Sequence, residues 1–189
     1  MTPTHLKAEF DNGLDYAAYV ATGNPTQQQR WNAVYAAAAL DDRQRALVAS
    51  FTRRMRLLVV SGVWCGDCIE QLPLVQRIVE ANPRVLAMRL VDRDQRADLA
   101  AQLRINGGGR VPVVGFLSED FEPCGWYGDR TLARYRALAA RAIGPSCSLG
   151  AIVPPAEELS AMLNDWLHEI ERVQLMLRLS PRLRQRHGD

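Results

Sequence analysis

The chain has 189 residues, 48% of them hydrophobic, and a formal charge of +2 from 23 basic and 21 acidic side chains. That apolar content supports a buried core and excludes a disordered chain, and arginines interspersed with acids leave no basic stripe of the kind nucleic acid selects. No segment is long and apolar enough to span a bilayer, and Met1 to Tyr16 mixes His5, Lys7, Glu9, Asp11 and Asp15 among its apolar residues, so it offers no signal-peptide core. The cytoplasm is the expected compartment, with neither nucleic acid nor membrane as a partner. Four cysteines in that setting point to reduced thiols used in catalysis or metal binding, not to a stapling framework.

Residues 1–55 read as a helical extension of three segments, broken at Thr22-Gly23-Asn24-Pro25 and at Asp41-Asp42. In the first break Gly23 can stop one helix, Asn24 can cap the next and Pro25 fits its first turn. Apolar residues at Trp31, Val34, Tyr35 and Ala38, then at Leu47, Val48 and Phe51, give each helix one buried face. From residue 56 to 144 the pattern alternates. A strand is expected at Leu57 to Ser61, a helix from Cys68 to Ala81, a strand at Val85 to Val91 and a helix from Gln95 to Leu103. After a Gly-rich loop come strands at Pro112 to Leu117 and Glu122 to Tyr127, then a helix from Thr131 to Ile143. The βαβ start demands a parallel crossover and the two late strands suggest a hairpin, so the expected class is α/β with a mixed sheet.

Residues 145–189 read as a loop, a long helix opened by Pro154-Pro155-Ala156-Glu157-Glu158, and a frayed basic tail carrying Arg182, Arg184 and Arg186. Leu159, Leu163, Trp166, Ile170, Val173 and Leu177 form a heptad-like stripe, which either packs on its own domain or makes a homodimer seam. One compact domain is expected overall.

The candidate site is Trp64-Cys65-Gly66-Asp67-Cys68, placed between an apolar strand and a helix. A helix start exposes unsatisfied N–H groups and a positive dipole end, which stabilise a thiolate and make Cys65 a nucleophile. Such a pair also occurs in zinc sites, but two ligands cannot complete a tetrahedral centre and Cys124 and Cys147 would have to converge from separate elements. No metal is expected. Cys124 fits a small apolar residue in a strand and Cys147 an incidental loop thiol, and His5, His168 and His187 look incidental too.

With Pro73 five residues beyond Cys68, Val111-Pro112 before a strand, and Gly128 before the last core helix, residues 56–143 resemble the thioredoxin family. Gly13-Leu14-Asp15-Tyr16, the Asn106-Gly107-Gly108-Gly109-Arg110-Val111-Pro112 loop and Trp126-Tyr127-Gly128 are similar to a bacterial branch with an N-terminal helical extension. The resemblance implies a thioredoxin fold, a cis Pro112 facing the cysteines, and a redox-active Cys65-Cys68 disulfide with no other cofactor. Cys65 is then the attacking thiolate and Cys68 the resolving thiol, while Val111 and Pro112 offer backbone to a substrate and Trp64, Gly66 and Asp67 support the site. The implied function is thiol-disulfide exchange with protein or small disulfide substrates and a thiol reductant. A redox-inactive binding module on the same fold is the alternative.

Two residues depart from the family. Asp67 stands where thioredoxins carry proline, and its charge should oppose the Cys65 thiolate. Val59 stands where thioredoxins bury a carboxylate that accepts the proton of the second cysteine. Water, Asp67 or another acid such as Asp92 is then left to take it, or the resolving step is slow.

Overall fold

The computed structural model describes residues 1–143 and 153–189. Four helices precede the sheet: α1 (Pro3–Asn12), α2 (Tyr16–Ala21), α3 (Pro25–Ala37) and α4 (Asp42–Ala49). Each starts where a polar side chain, of Thr2, Asp15, Asn24 or Asp41, accepts a bond from the amide three residues on. Gln27 and Gln44 return the bond to the Asn24 and Asp41 amides, closing capping boxes. The expected three segments are therefore four. Leu14 leaves the helix between α1 and α2 to exchange both backbone bonds with Leu90, at 2.9 and 2.8 Å, and Asp15 restarts the chain as a cap.

The sheet consists of β1 (Met55–Ser61), β2 (Leu86–Asp92), β3 (Val113–Leu117) and β4 (Pro123–Gly128) in the order β2-β1-β3-β4. β1 runs parallel to β2 and antiparallel to β3, and β3 pairs antiparallel with β4. It is the mixed sheet the sequence implies. β1 and β3 are buried apart from Arg56, as strands covered on both faces must be. The parallel crossover is α5 (Gly66–Ala81), which packs against α3 on one side and keeps Pro73 inside it. α6 (Ala97–Gln102) and α7 (Leu132–Ile143) follow β2 and β4.

α8 (Ala156–Leu179) begins with Glu157 and Glu158 in its first turn, and its whole apolar stripe from Leu159 to Leu177 is buried in the chain's own core. Trp166 meets Tyr127 of β4 edge to face, with ring centroids 5.0 Å apart. The tail differs from expectation. It folds as α9 (Pro181–His187), buries Leu183, and pairs Arg182, Arg186 and His187 with Glu119 and Asp120, while Asp189 pairs with Arg53. Frayed basic side chains become ordered here because two acids lie within their reach. His187 is accordingly a hydrogen-bond partner of Glu119, at 2.9 Å, and not incidental. Cys147 and the loop after Gly144 lie outside the described residues. No helix among the described residues is long and apolar enough to cross a membrane.

The extension reaches the cysteine segment directly, since fully buried Trp31 of α3 donates its indole N–H to the Val63 carbonyl at 2.9 Å. Trp31→Ala should cost about 3–5 kcal/mol and Trp31→Phe about 1–3 kcal/mol, the latter for the orphaned carbonyl. Urea unfolding followed by circular dichroism measures both, and a loss below about 1 kcal/mol for the alanine variant would contradict this role of the extension.

Candidate active site

β1 delivers the chain to the site and α5 begins there. Cys65 is the N-cap of α5, in extended backbone conformation, and it is half-buried, whereas Cys68 one turn on is wholly buried. Both thiols are free. The Cys65 Sγ lies 3.6 Å from the Val111 carbonyl oxygen, and the Val111–Pro112 peptide is cis. Both expected halves of the site thus meet. Gly128, at the end of β4, closes the far side of this loop: its φ is +156°, and a Cβ there would stand 2.2 Å from the Pro112 carbonyl oxygen. Only glycine lets the strand pass so close.

The two thiols titrate in opposite directions. Cys65 is lowered to about 7, first by a hydrogen bond from the Cys68 side chain and further by the Cys68 and Asp67 amides at the helix start, against burial and the Asp67 charge. Cys68 is raised well above its ordinary value, first by burial and then by Cys65 beside it. Cys65 is thus the more acidic of the two thiols and Cys68 the less acidic.

Asp67 is not the bare charge the sequence suggests. Arg130 grips it bidentately, Nε to Oδ1 at 2.9 Å and Nη2 to Oδ2 at 2.6 Å, and Arg134 lies 3.6 Å away. Its opposition to the thiolate is therefore partly compensated. Arg110, next to Val111, makes the matching contact on the other side, donating to the buried Asp129 carboxylate at 3.0 Å, which also accepts the Tyr135 hydroxyl. Gln71 ties the two halves: its amide donates to the Asp129 carbonyl at 2.9 Å and accepts from the Thr131 amide at 3.1 Å.

Trp64 is 45% exposed, and the Arg93 guanidinium carbon sits 4.7 Å from its ring centroid while Arg93 also donates to the Gly109 carbonyl at 3.1 Å. Beside Cys65, Gly66 has open space where a side chain would stand. Val59 is buried in β1, and Asp92 uses its carboxylate to accept the Asp94 and Gln95 amides at 2.9 and 3.1 Å. Cys124 lies half-buried in β4 with its thiol raised by burial. No group of three or more His, Cys, Asp or Glu able to hold a metal ion occurs among the described residues. Asp129, Arg130 and Gln71 were outside the sequence expectation, and Arg110 stood in it only as a member of the proline-loop motif. The Gly128-Asp129-Arg130-Thr131 run directly after the hairpin carried the only signal, a charged pair where the chain returns to the proline loop.

A mixed sheet with a Cys-x-x-Cys helix start facing a cis-proline loop defines a thioredoxin-fold protein with a dithiol site. The sequence profile of thioredoxin matches residues 13–140, and the chain belongs to the thioredoxin family. Among solved structures it is similar to a protein of unknown function, PA1234, from Pseudomonas aeruginosa, at 25% identity over 87% of this chain and 96% of that one, with a TM-score of 0.69. It is also similar to an HIV epitope-scaffold at 22% identity, covering 84% and 95% of the two chains, with a TM-score of 0.63. No curated protein matches the sequence.

Because Cys65 is lowered to about 7, its reactivity should rise with pH to a midpoint near that value and fall about tenfold per unit below it. Iodoacetamide alkylation of the full chain, read by mass at Cys65, measures the profile, and a midpoint near 8.5 would contradict it. Arg130→Ala frees the Asp67 charge and should move the midpoint up. Asp67→Asn removes that charge and should move it down.

Proposed function

We propose that the protein is a thiol-disulfide oxidoreductase. The observation that carries this reading is the division of labour between the thiols: Cys65 half-exposed and lowered to about 7, Cys68 buried and still protonated. In the first step the Cys65 thiolate attacks one sulfur of a substrate disulfide. The substrate S–S bond breaks, its distal sulfur leaves as a thiolate, and Cys65 is left in a mixed disulfide. In the second step Cys68 gives up its proton and attacks Cys65 Sγ, releasing the second substrate thiolate and leaving the Cys65-Cys68 disulfide. The pair has been oxidised by two electrons and the substrate reduced by two, and a thiol reductant returns the pair to its starting state.

Substrate positioning falls to Val111 and Trp64. An extended peptide can bond the Val111 backbone beside Cys65 while Trp64 and Gly66 leave its side chains room. Protein disulfides and low-molecular-weight disulfides both suit this approach, and the reducing cytoplasm suits the free thiols.

Val59 favours one competing reading, a binding module whose thiols turn over slowly because that buried position holds no carboxylate to serve Cys68. Insulin reduction with dithiothreitol separates the two. Wild type should accelerate precipitation, Cys65→Ser should abolish the acceleration, and Cys68→Ser should trap a mixed disulfide visible by non-reducing mass analysis. Equal rates for wild type and Cys65→Ser would leave only the binding module.

A further inference from the structure

Three guanidinium groups stand on the chain segments that bound Cys65. Arg93 stacks over the ring of Trp64, the preceding residue, and donates to the Gly109 carbonyl of the proline loop. Arg110 directly precedes Val111, whose carbonyl oxygen lies 3.6 Å from the Cys65 sulfur. Arg130 grips Asp67, two residues beyond Cys65. A fourth, Arg104, holds the Gly107 carbonyl of the same loop rather than a carboxylate. The acids that pair with Arg110 and Arg130 are turned inward: Asp129 is 3% exposed beneath an Arg110 that is 40% exposed, and Asp67 is 16% exposed beneath an Arg130 at 26%. With carboxylates inside and guanidinium groups outside, each pair presents its positive end to solvent, so the face is cationic although its formal charges nearly balance. Asp94 is the exception, since it is well exposed and accepts from Arg93 Nε at 2.9 Å. It occupies only one edge of that guanidinium. Nη2 of Arg93 and Nη2 of Arg110 have no hydrogen-bond partner among the described residues.

We infer that the disulfide this site takes carries carboxylates beside its sulfurs, and that Arg93 and Arg110 hold them while Cys65 attacks. The inference rests on the oxidoreductase reading and narrows its substrate class. A substrate sulfur in line with Cys65 must lie next to Val111, and Gly109, where Arg93 is anchored, is two residues up the loop, at most about 7 Å along the backbone. A carboxylate a few bonds from that sulfur therefore falls within reach of both guanidinium groups, each offering an N–H to a carboxylate oxygen. The covalent step is unchanged. Cys65 forms a bond to one substrate sulfur, the substrate S–S bond breaks and its distal sulfur leaves as a thiolate, while the carboxylates keep their charge and only position the disulfide. An ammonium group in the same place meets like charge and is rejected.

Three small disulfides of similar size test this at pH 7: dianionic 3,3′-dithiodipropionate, neutral 2-hydroxyethyl disulfide and dicationic cystamine. Each is mixed with the reduced full chain, the loss of alkylatable Cys65 is read by mass, and the rate is divided by that of the same disulfide with dithiothreitol, which removes intrinsic reactivity. The normalised rates should fall in the order dianion, neutral, dication. The ratio of first to last should be on the order of tenfold in 0.01 M salt and should shrink toward one in 1 M salt, as the screening length drops from about 30 Å to about 3 Å. Arg93→Gln should lower the low-salt ratio about threefold, and Arg93→Glu should lower it further. Arg110 is left in place because its removal would bare buried Asp129. A pair of peptide disulfides, flanked by Glu or by Lys, distinguishes the sources: a Glu preference without a small-disulfide preference assigns the carboxylates to a protein substrate, and both together admit a small one. Because each ratio is taken within one protein, and the salt titration needs no variant, a poorly folded variant does not imitate the result. Equal normalised rates within both sets, or an order that neither salt nor Arg93→Glu moves, would overturn the inference and leave the oxidoreductase standing. A wild type that reduces none of these disulfides would overturn both.

Discussion

The first turn of α5 must be held in one place against the loop that carries Val111, and the group that holds it is the buried side chain of Gln71. Its amide reaches out of the helix to bond the carbonyl of Asp129 and the amide of Thr131, so the segment after β4 is fastened to the helix that begins at Cys65. Those backbone groups would otherwise be buried without partners, which is costly, so the fit is specific in register as well as position. Gly128 then brings the same segment against Pro112. Helix, hairpin end and proline loop become one unit, and the 3.6 Å approach of Cys65 to Val111 follows from it.

Charge is arranged around that unit in pairs. Arg130 covers Asp67 at the helix start and Arg110 covers Asp129 beneath the proline loop, while Arg134 extends the set to Glu70 at 2.5 Å and to Glu158 at 2.8 Å on the first turn of α8. Burial of such groups is unfavourable unless each is matched, so their value lies in fixing geometry more than in net stability. The sequence seen without them places a lone aspartate beside the nucleophile. With them the Asp67 charge is partly offset, and the hydrogen bond from Cys68 leads the lowering of Cys65 against its burial.

Much of the fold was legible because it rests on periodicity and punctuation. The apolar run into Ser61, the Cys65 helix start, the Val111-Pro112 loop and the α8 stripe all follow from local patterns that the tertiary structure respects. What was not legible depended on partners distant in sequence. The break at Leu14 exists because Leu90 is there to bond it. Ordering of Pro181–His187 depends on Glu119 and Asp120, more than sixty residues earlier, and Arg130 acquires meaning only opposite Asp67. Within the site, the cysteines and the proline were visible as motif residues, whereas Gln71, Asp129 and Arg130 have ordinary local contexts and gain their contacts by convergence.

The Leu14 to Leu90 exchange also has a consequence for how the sheet meets other chains. β2 is an edge strand, and an edge strand invites a further strand from elsewhere. Leu14 occupies both backbone groups of Leu90, with α1 and α2 lying against β2 around it. On the opposite edge, Pro123 has no amide to donate, the β3 to β4 pairing shifts register at Phe116/Leu117, and α8 lies against β4. Each border is thus partly occupied, by Leu14 on one side and by α8 and Pro123 on the other.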